Sequence, residues 1–313
     1  MDRITTAAFL VIFLMAARPV WGQQLSGRAA FSSTNFIWNP AMTASDQHLD
    51  GGAYYRQQWA GFENAPVTAS AFFQVPVAEF NMSAGGFLSQ AEAGPFKRNY
   101  YALAYSYQIT PGLFRDDLLA FGLLAGWERF SFNEKNIIAT DPDDALALNT
   151  WQTRPGVSFG CGLFYATNKE MGSLSENTFY VGIGSNQLWP KALVSTDDGA
   201  PVFHRSIHAN ATAGVRIAQD YFYLEPSIWA DFGADNLINI TASLIFELDQ
   251  VFWSGLAYSS DGTVGLQLGY IFTGGFLKDG SLKVGGQGSY NLGALSAFKG
   301  WGYECLVTYR FWM

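Results

Sequence analysis

The chain has 313 residues, a formal net charge of −8 at pH 7, and Asp, Glu, Lys or Arg at only 14% of its positions. The acidic balance argues against a nucleic-acid partner, because neutralising phosphates takes clustered Lys and Arg. Ordinary soluble domains carry ~25% charged residues, so much of this protein's surface is predicted to face something other than water.

Residues 1–22 have the pattern of a secretory signal peptide. Residues 4–17 carry no charge, and small residues stand before Gln23 as cleavage requires. The apolar run is shorter than the ~20 residues that a membrane-spanning helix needs. We therefore expect a mature chain of residues 23–313 that forms a single domain.

Downstream of residue 22, the sequence contains no uncharged apolar run of ~18 residues, which excludes transmembrane helices. Aromatic residues nevertheless make up 16% of the chain, and it has 33 glycines. A closed β-barrel is the other structure that satisfies every backbone hydrogen bond within lipid. The composition therefore favours a membrane protein built from strands.

Segments of about ten residues alternate between apolar and small or polar side chains, which is typical of strands in outer-membrane barrels. In one segment, Tyr101, Leu103 and Tyr105 alternate with Ala102 and Ala104. The same pattern predicts fourteen strands, at residues 49–59, 67–77, 80–90, 98–109, 117–132, 154–166, 177–187, 204–218, 221–232, 237–248, 251–259, 263–272, 281–290 and 301–311.

An even number of strands places both termini at one end of a barrel, predicted here to be the periplasmic end. The longest predicted connections, at residues 133–150, 188–203 and 291–300, then all lie at the extracellular end. The short links at residues 219–220 and 249–250 lie at the periplasmic end, as barrel hairpins do. The predicted fold class is an all-β, transmembrane antiparallel β-barrel of about 14 strands, with its apolar face against outer-membrane lipid.

Residues 23–47 precede the first predicted strand and are polar and irregular. They include Asn39-Pro40-Ala41, which predicts a turn because Asn-Pro initiates turns and blocks helix. This entry segment is expected to lie in the periplasm or to dock inside the barrel lumen, and the sequence leaves both placements open.

Residues 55–68 are the densest run of unusual side chains and predict the first hairpin. Strand is expected up to Trp59, and residues 61–66 supply turn chemistry before the second strand begins. Arg56 is a cation in the middle of a strand, and it needs water or a carboxylate beside it. Glu63, across the turn, is the expected partner, and a position at the solvent-exposed rim is the alternative.

The matches to catalytic or metal-binding motifs in this sequence lack the context that the chemistry needs. Gly156-Val-Ser-Phe-Gly160 matches the G-x-S-x-G pattern, but it lies within an alternating strand instead of the strand-to-helix turn that a nucleophilic serine needs. His204 and His208 would lie ~13 Å apart on a strand, too far to share a metal ion. Asp141–Asp144 has clustered carboxylates without the other ligands of a calcium loop, and the sequence leaves calcium binding there open. We expect no enzyme activity, no metal and no cofactor.

Several short motifs of this chain recur together in one known family. They are Asn39-Pro-Ala41, Tyr55-Arg56, Gln58-Trp59-x-Gly61-Phe62, Ala65-Pro66-x-Thr68, Gly94-Pro95, Asp141-Pro-Asp-Asp144, Glu304 and Tyr309-Arg-Phe311. Over nearly all of its mature length, the chain resembles the PorP/SprF family of outer-membrane proteins from Bacteroidota, which accompany the type IX secretion system and gliding motility. It departs from that family in having Gly300-Trp-Gly-Tyr-Glu304 where Gly-Ser-His-Glu is frequent, and Met313 after the aromatic Trp312.

The resemblance implies a barrel without known enzymatic activity, located in the outer membrane of a Gram-negative bacterium. It implies, as partners, a secreted adhesin or other type IX cargo, periplasmic ring components of the machine, or both. The first hairpin is the specific part of the resemblance. It supplies the candidate partner-binding residues Arg56, Gln58, Trp59, Gly61, Phe62, Ala65, Pro66 and Thr68.

Three functions follow from these observations. The leading hypothesis is a non-catalytic component of a type IX secretion or gliding system that binds a protein partner for cargo secretion or surface anchoring. The alternative is an outer-membrane diffusion channel for a small or apolar solute, with residues 23–47 as a plug. A barrel enzyme acting on lipid or peptide is disfavoured, because the motifs bring no acid, base and nucleophile together.

Overall fold

The computed structural model describes residues 32–114, 116–133, 151–169, 176–189, 192–193, 203–204, 207–233, 238–274, 277–293 and 300–311. Almost all of this chain is antiparallel sheet, with short 3-10 turns at Ser32–Ile37, Pro40–Met42 and Ala78–Phe80. No helix in these ranges is long and apolar enough to cross a membrane.

Fourteen strands of the described chain form one closed antiparallel barrel. Strands adjacent in sequence are paired, and the first strand also pairs with the last, which closes the sheet. The strands are β1 (Leu49–Gln57), β2 (Val67–Val77), β3 (Met82–Ala93), β4 (Phe96–Ile109), β5 (Leu118–Phe132), β6 (Gly156–Ala166), β7 (Thr178–Gln187), β8 (His208–Ala218), β9 (Phe222–Phe232), β10 (Ile238–Leu248), β11 (Phe252–Ser259), β12 (Thr263–Gly274), β13 (Leu277–Asn291) and β14 (Trp301–Phe311).

Every predicted strand is present, and the predicted fold class of a barrel with about 14 strands is confirmed. The largest differences in position are at β8, which begins at His208 instead of residue 204, and at β13, which begins at Leu277 instead of residue 281. Residue 204 lies in a separate two-stranded ladder, in which Phe203–His204 pairs with Ala192–Leu193.

The alternation of side chains produces two different faces of the wall. On β4, Leu103 is 58% exposed on the outer face, whereas its neighbours Ala102 and Ala104 are 3% and 4% exposed on the inner face. Successive side chains of a strand point to opposite faces, so the apolar set forms a continuous outer surface. That surface is the lipid-facing band of an outer-membrane barrel.

The two ends of the barrel differ in their connections. β1 begins and β14 ends at the same end, termed the terminal end, where residues 219–221 and 249–251 make short links. The opposite end, termed the hairpin end, carries the two longest connections, at residues 133–155 and 188–207, and a shorter one at residues 292–300. The predicted separation holds for the two longest connections only, because residues 167–177, between β6 and β7, make an eleven-residue connection at the terminal end, longer than the nine residues of 292–300. The assignment of the terminal end to the periplasm stays a prediction.

Candidate functional site

Residues 34–47, termed the lumen segment, lie inside the barrel. Asn39, Ala41 and Thr43 are each 0% exposed. Asn39 caps the 3-10 turn, because its side-chain oxygen accepts the N–H of Ala41 over 3.1 Å, and Pro40 occupies the first position of the turn. The Asn-Pro-Ala sequence therefore forms the predicted turn, and the lumen is where the structure places it.

The lumen segment is hydrogen-bonded to four strands of the barrel, β2, β4, β6 and β8. Its backbone carbonyls accept hydrogen bonds from the wall, and its amides donate to wall oxygens, so these polar groups are satisfied away from bulk water. The bonds to β2, β4, β6 and β8 are Ala44 N–H to Gln74 Oε1 (2.7 Å), Ser106 Oγ to Ala41 O (3.2 Å), Gln47 Nε2 to Gln108 Oε1 (2.6 Å), Asn39 Nδ2 to Leu163 O (3.1 Å) and Asn210 Nδ2 to Trp38 O (2.9 Å).

Glycines on the inner face of β5, β6 and β7 allow the lumen segment to approach the wall. A Cβ atom on Gly122 would lie 2.0 Å from the backbone nitrogen of Ala41, and one on Gly162 would lie 1.9 Å from Oδ1 of Asn39. A Cβ atom on Gly184 would lie 2.9 Å from the Asn39 Cα. These three residues form a glycine cradle, because any side chain there would displace the segment.

Arg310, near the end of β14, holds the lumen segment where it joins β1. Its guanidinium donates to both carboxylate oxygens of Asp50, at 2.9 and 2.8 Å, and also to Asp46. Burial works to raise the pKa of Asp46, but the positive charge of Arg310, together with His48, Arg216 and a backbone hydrogen bond, outweighs it, and the pKa lies below its ordinary value. Asp46 is therefore ionised at neutral pH and bound to Arg310.

Three more ion pairs join different strands inside the barrel. Two of the carboxylates also accept a hydrogen bond from a tyrosine, so they are held by both a cation and a phenol. The contacts are Arg98–Glu128 (2.6 Å), Arg216–Glu225 (2.6 Å), Lys283–Glu247 (3.3 Å), Tyr180 Oη to Glu225 Oε1 (2.8 Å) and Tyr223 Oη to Glu247 Oε2 (2.9 Å). These groups cross-link the inner face of the wall.

Arg56 pairs with Glu304 across the seam between β1 and β14. The two residues are directly opposite in the strand register, and Arg56 Nε lies 3.2 Å from Glu304 Oε1. Glu304 is 4% exposed, so this pair belongs to the barrel interior. The expected pairing of Arg56 with Glu63 is wrong, because Arg56 points into the lumen and its neighbour across the seam supplies the carboxylate.

The first hairpin continues beyond the wall as a loop of residues 58–66. Its backbone is fixed by four hydrogen bonds. Three are 2.9 Å long, from Gln58 N–H to Pro66 O, from Ala60 N–H to Trp301 O and from Phe62 N–H to Trp59 O, and Gly94 N–H donates to Asn64 O over 3.0 Å. Trp59 has a φ of 50°, in the left-handed region that side chains other than glycine seldom adopt. Trp59 and Phe62 are 41% and 44% exposed.

The structure divides the eight candidate partner-binding residues into three groups. Trp59, Gly61 and Phe62 are exposed on the loop, whereas Gln58, Ala65 and Pro66 are half-buried beside it. Arg56 and Thr68 lie opposite each other on β1 and β2 and face the lumen. Only the exposed group is presented to a partner outside the barrel, and the binding role of all eight residues stays a prediction.

An aromatic stack beside the loop was not predicted as part of the site. On the outer face, Trp301 stacks on Tyr303 with ring centroids 6.2 Å apart, and Tyr303 lies 6.1 Å from Tyr55 on the neighbouring strand. Tyr303 also donates to Gln57 Oε1 over 2.8 Å. Sequence alone could place each ring near a strand end, but the register between the first and last strands was needed to bring them together.

The motifs for other chemistry lie in ordinary barrel positions. Gly156–Gly160 is part of β6, and Ser158 faces inward with its Oγ 3.2 Å from the Tyr100 hydroxyl. Across the described ranges, no three His, Cys, Asp or Glu side chains are close enough to hold a metal ion. The possible calcium loop at residues 141–144 lies outside the described residues.

A closed barrel with an apolar outer face and a polar, internally cross-linked lumen defines this chain as an outer-membrane β-barrel protein. The family model described as "Type IX secretion system membrane protein PorP/SprF" matches residues 22–309. The chain belongs to the PorP/SprF family, which confirms the resemblance drawn from its motifs and the outer-membrane location. A search among curated proteins returned no significant match.

Solved structures with the same fold are outer-membrane channels. The CymD monoaromatic hydrocarbon channel matches with a TM-score of 0.54 and 11% identity, over 92% of this chain and 95% of that chain. The toluene transporter TodX of Pseudomonas putida gives 0.53 and 10%, over 91% and 95%. A FadL homologue of Pseudomonas aeruginosa gives 0.52 and 12%, over 93% and 97%. At these identities, the likeness concerns the fold alone.

Proposed function

We propose that this protein is a non-catalytic component of a type IX secretion or gliding system, and that it binds a protein partner for cargo secretion or surface anchoring. Membership of the PorP/SprF family supports the secretion system as its setting. The partner is a secreted adhesin or other type IX cargo, or a periplasmic ring component of the machine.

The observation that carries the proposal is the exposed aromatic surface at the hairpin end. Trp59 and Phe62 stand on a loop whose backbone is bonded to itself and to β14. Aromatic side chains held rigidly on a surface are favourable anchors for protein partners, because little conformational entropy is lost on binding. The Trp301–Tyr303–Tyr55 stack extends this surface down the outer face of the seam.

The test is co-purification of the tagged barrel from native membranes, comparing wild type with the double variant Trp59→Ala/Phe62→Ala. We expect the variant to fold as a heat-modifiable barrel but to lose its partner and the display of cargo. Trp127→Ala is the matched control, because Trp127 is a similarly exposed tryptophan, at 46%, stacked on Tyr101 on the outer face of another strand pair. A folded double variant that retains its partner would refute the hairpin as the binding surface.

A second candidate function is a diffusion channel for a small or apolar solute. The observation that favours it is the fold shared with CymD, a monoaromatic hydrocarbon channel, and TodX, a toluene transporter. The position of residues 34–47 inside the barrel opposes free diffusion, since this segment is bonded across the lumen. Solute uptake by liposomes containing the purified barrel separates the two candidates.

A further inference from the structure

We propose that the lumen segment is a latched gate: residues 34–47 close a barrel that is otherwise wide enough to conduct, and the contacts of Asp46 with Arg310 hold the gate shut. This device is independent of partner binding at the hairpin loop. It concerns the opposite end of the barrel, where the segment joins β1, and a different property, the passage of ions.

Barrel width supplies the first part of the argument. A barrel of about eight strands is just wide enough for its own side chains to fill, and larger barrels leave a lumen. With fourteen strands, the wall of this protein encloses more space than inward-facing side chains occupy. The lumen segment fills part of that space, and its bonds reach strands on opposite sides of the barrel, from Gln74 on β2 to Asn210 on β8.

The glycine cradle shows that the wall is shaped for this segment. Glycine in a strand interior weakens the strand. Three inward glycines that face one short turn therefore indicate that close approach of this turn offsets the lost strand stability. Gly122, Gly162 and Gly184 are the positions at which a Cβ atom would collide with Asn39 or Ala41. The inner face of the wall is therefore complementary in shape to the lumen segment, which packs against it in the closed state.

The joint between the lumen segment and β1 shows how the gate is held. Ala44 and Gln47 have φ values of 47° and 60°, in the left-handed region that disfavours residues with a Cβ atom. Such strain persists only where the surrounding contacts impose it. Asp46 lies between these two residues, and its contact with Arg310 is the charged contact at this joint that ties the segment to the last strand. Loss of that contact releases a strained joint.

Conductance in planar lipid bilayers tests the gate, using the purified full-length mature protein in KCl solution. Wild type should show a closed baseline. Gly122→Val should show steady conductance, because its side chain would overlap the Ala41 backbone and force the segment away from the wall. Gly255→Val on β11 is the matched control and should stay closed, since Gly255 also faces inward and a Cβ atom there comes no closer than 3.4 Å to its neighbour, Gln267.

A test of the Asp46–Arg310 contact uses a variant that leaves the glycine cradle unchanged. Asp46→Asn removes the charge from the segment while the Asp50–Arg310 pair remains, and it should open more often than wild type. Heat-modifiable mobility confirms folding for every variant. A wild type that conducts as steadily as Gly122→Val, or a folded Gly122→Val barrel that stays closed, would overturn the gate. If Gly122→Val opens and Asp46→Asn behaves as wild type, the latch is refuted.

Discussion

The two stretches with the most distinctive sequence, the lumen segment and the hairpin loop, end in opposite environments. Asn39 is 0% exposed and bonded to the wall at Leu163, whereas Trp59 is 41% exposed and projects beyond the strands. Both stretches owe their shape to turn chemistry and side-chain or backbone caps. The two stretches differ in what they contact. The lumen segment binds the barrel wall, whereas the hairpin loop exposes its aromatic rings outside the barrel.

This contrast shows that a distinctive motif identifies a binding surface only after its direction is known. Arg56 and Trp59 belong to the same short motif, yet Arg56 closes the seam with Glu304 and Trp59 is exposed. A motif of this kind therefore contains both residues that build the barrel and residues that are available to a partner.

The hairpin loop and the terminal end are predicted to face opposite sides of the outer membrane. We expect a cysteine at Glu63, on the hairpin loop, to be labelled fully by an impermeant maleimide on intact cells. A cysteine at Gln219, at the terminal end, should remain unlabelled until the outer membrane is permeabilised. Reversed labelling would place the hairpin loop in the periplasm and the termini outside.

The second prediction concerns the inside of the seam. Glu304→Ala should lower the free energy of unfolding by roughly 3–5 kcal/mol, because it leaves Arg56 as a buried charge without its carboxylate. Glu63→Ala, on the exposed loop, should change it by less than ~0.5 kcal/mol. Urea titration followed by heat-modifiable mobility measures both. A Glu304→Ala barrel that is as stable as Glu63→Ala would contradict a stabilising role for the pairing of Arg56 with Glu304.

The same contrast between inside and outside is expected within a single strand. Leu244 is 44% exposed on the outer face of β10, and Ser243 faces inward, with its Oγ 2.8 Å from that of Ser227. Leu244→Arg should destabilise the barrel by ~2–4 kcal/mol, since it moves a charge into lipid. Ser243→Arg should destabilise it much less. If Ser243→Arg proves as damaging in refolding into lipid vesicles, the two faces have been assigned wrongly.

The smallest expected effect distinguishes the two motifs directly. Asn39→Ala removes the cap of the lumen turn and the bond to Leu163, and it should weaken docking of the segment by ~1–2 kcal/mol. Trp59→Ala should leave unfolding within ~0.5 kcal/mol of wild type, because an exposed ring contributes little to the fold. Hydrogen exchange of residues 38–44 reports docking. Unchanged exchange in Asn39→Ala would show that this residue does not hold the segment.

Much of the wall could be predicted from sequence, because strand positions depend on local alternation and turn residues. β4 illustrates this: its apolar residues alternate with small or polar ones without a break from Tyr101 to Ile109, and the structure places the two sets on opposite faces. The ends of β8 and β13 differed from prediction, since pairing with neighbouring strands, and not local pattern, decides where a strand stops.

The contacts that close the barrel could not be predicted in the same way. The pairing of Arg56 with Glu304 depends on the register between the first and last strands, and no local signal specifies it. Likewise, nothing in the local sequence distinguishes Gly122 and Gly162 from other strand glycines. The positions of Asn39 and Ala41 in the structure explain why a side chain does not fit there. Long-range register is the information that a single sequence lacks.

The most direct measurement of the central claim is photo-crosslinking in the native host, with a photoreactive amino acid in place of Trp59 and, separately, of Trp127. Both positions are exposed tryptophans, but Trp59 lies on the hairpin loop and Trp127 lies on the outer face of β5. Partner binding by this loop predicts a discrete protein adduct at position 59 and none at position 127. A folded barrel without an adduct at position 59, or with the same adduct at both positions, would contradict it.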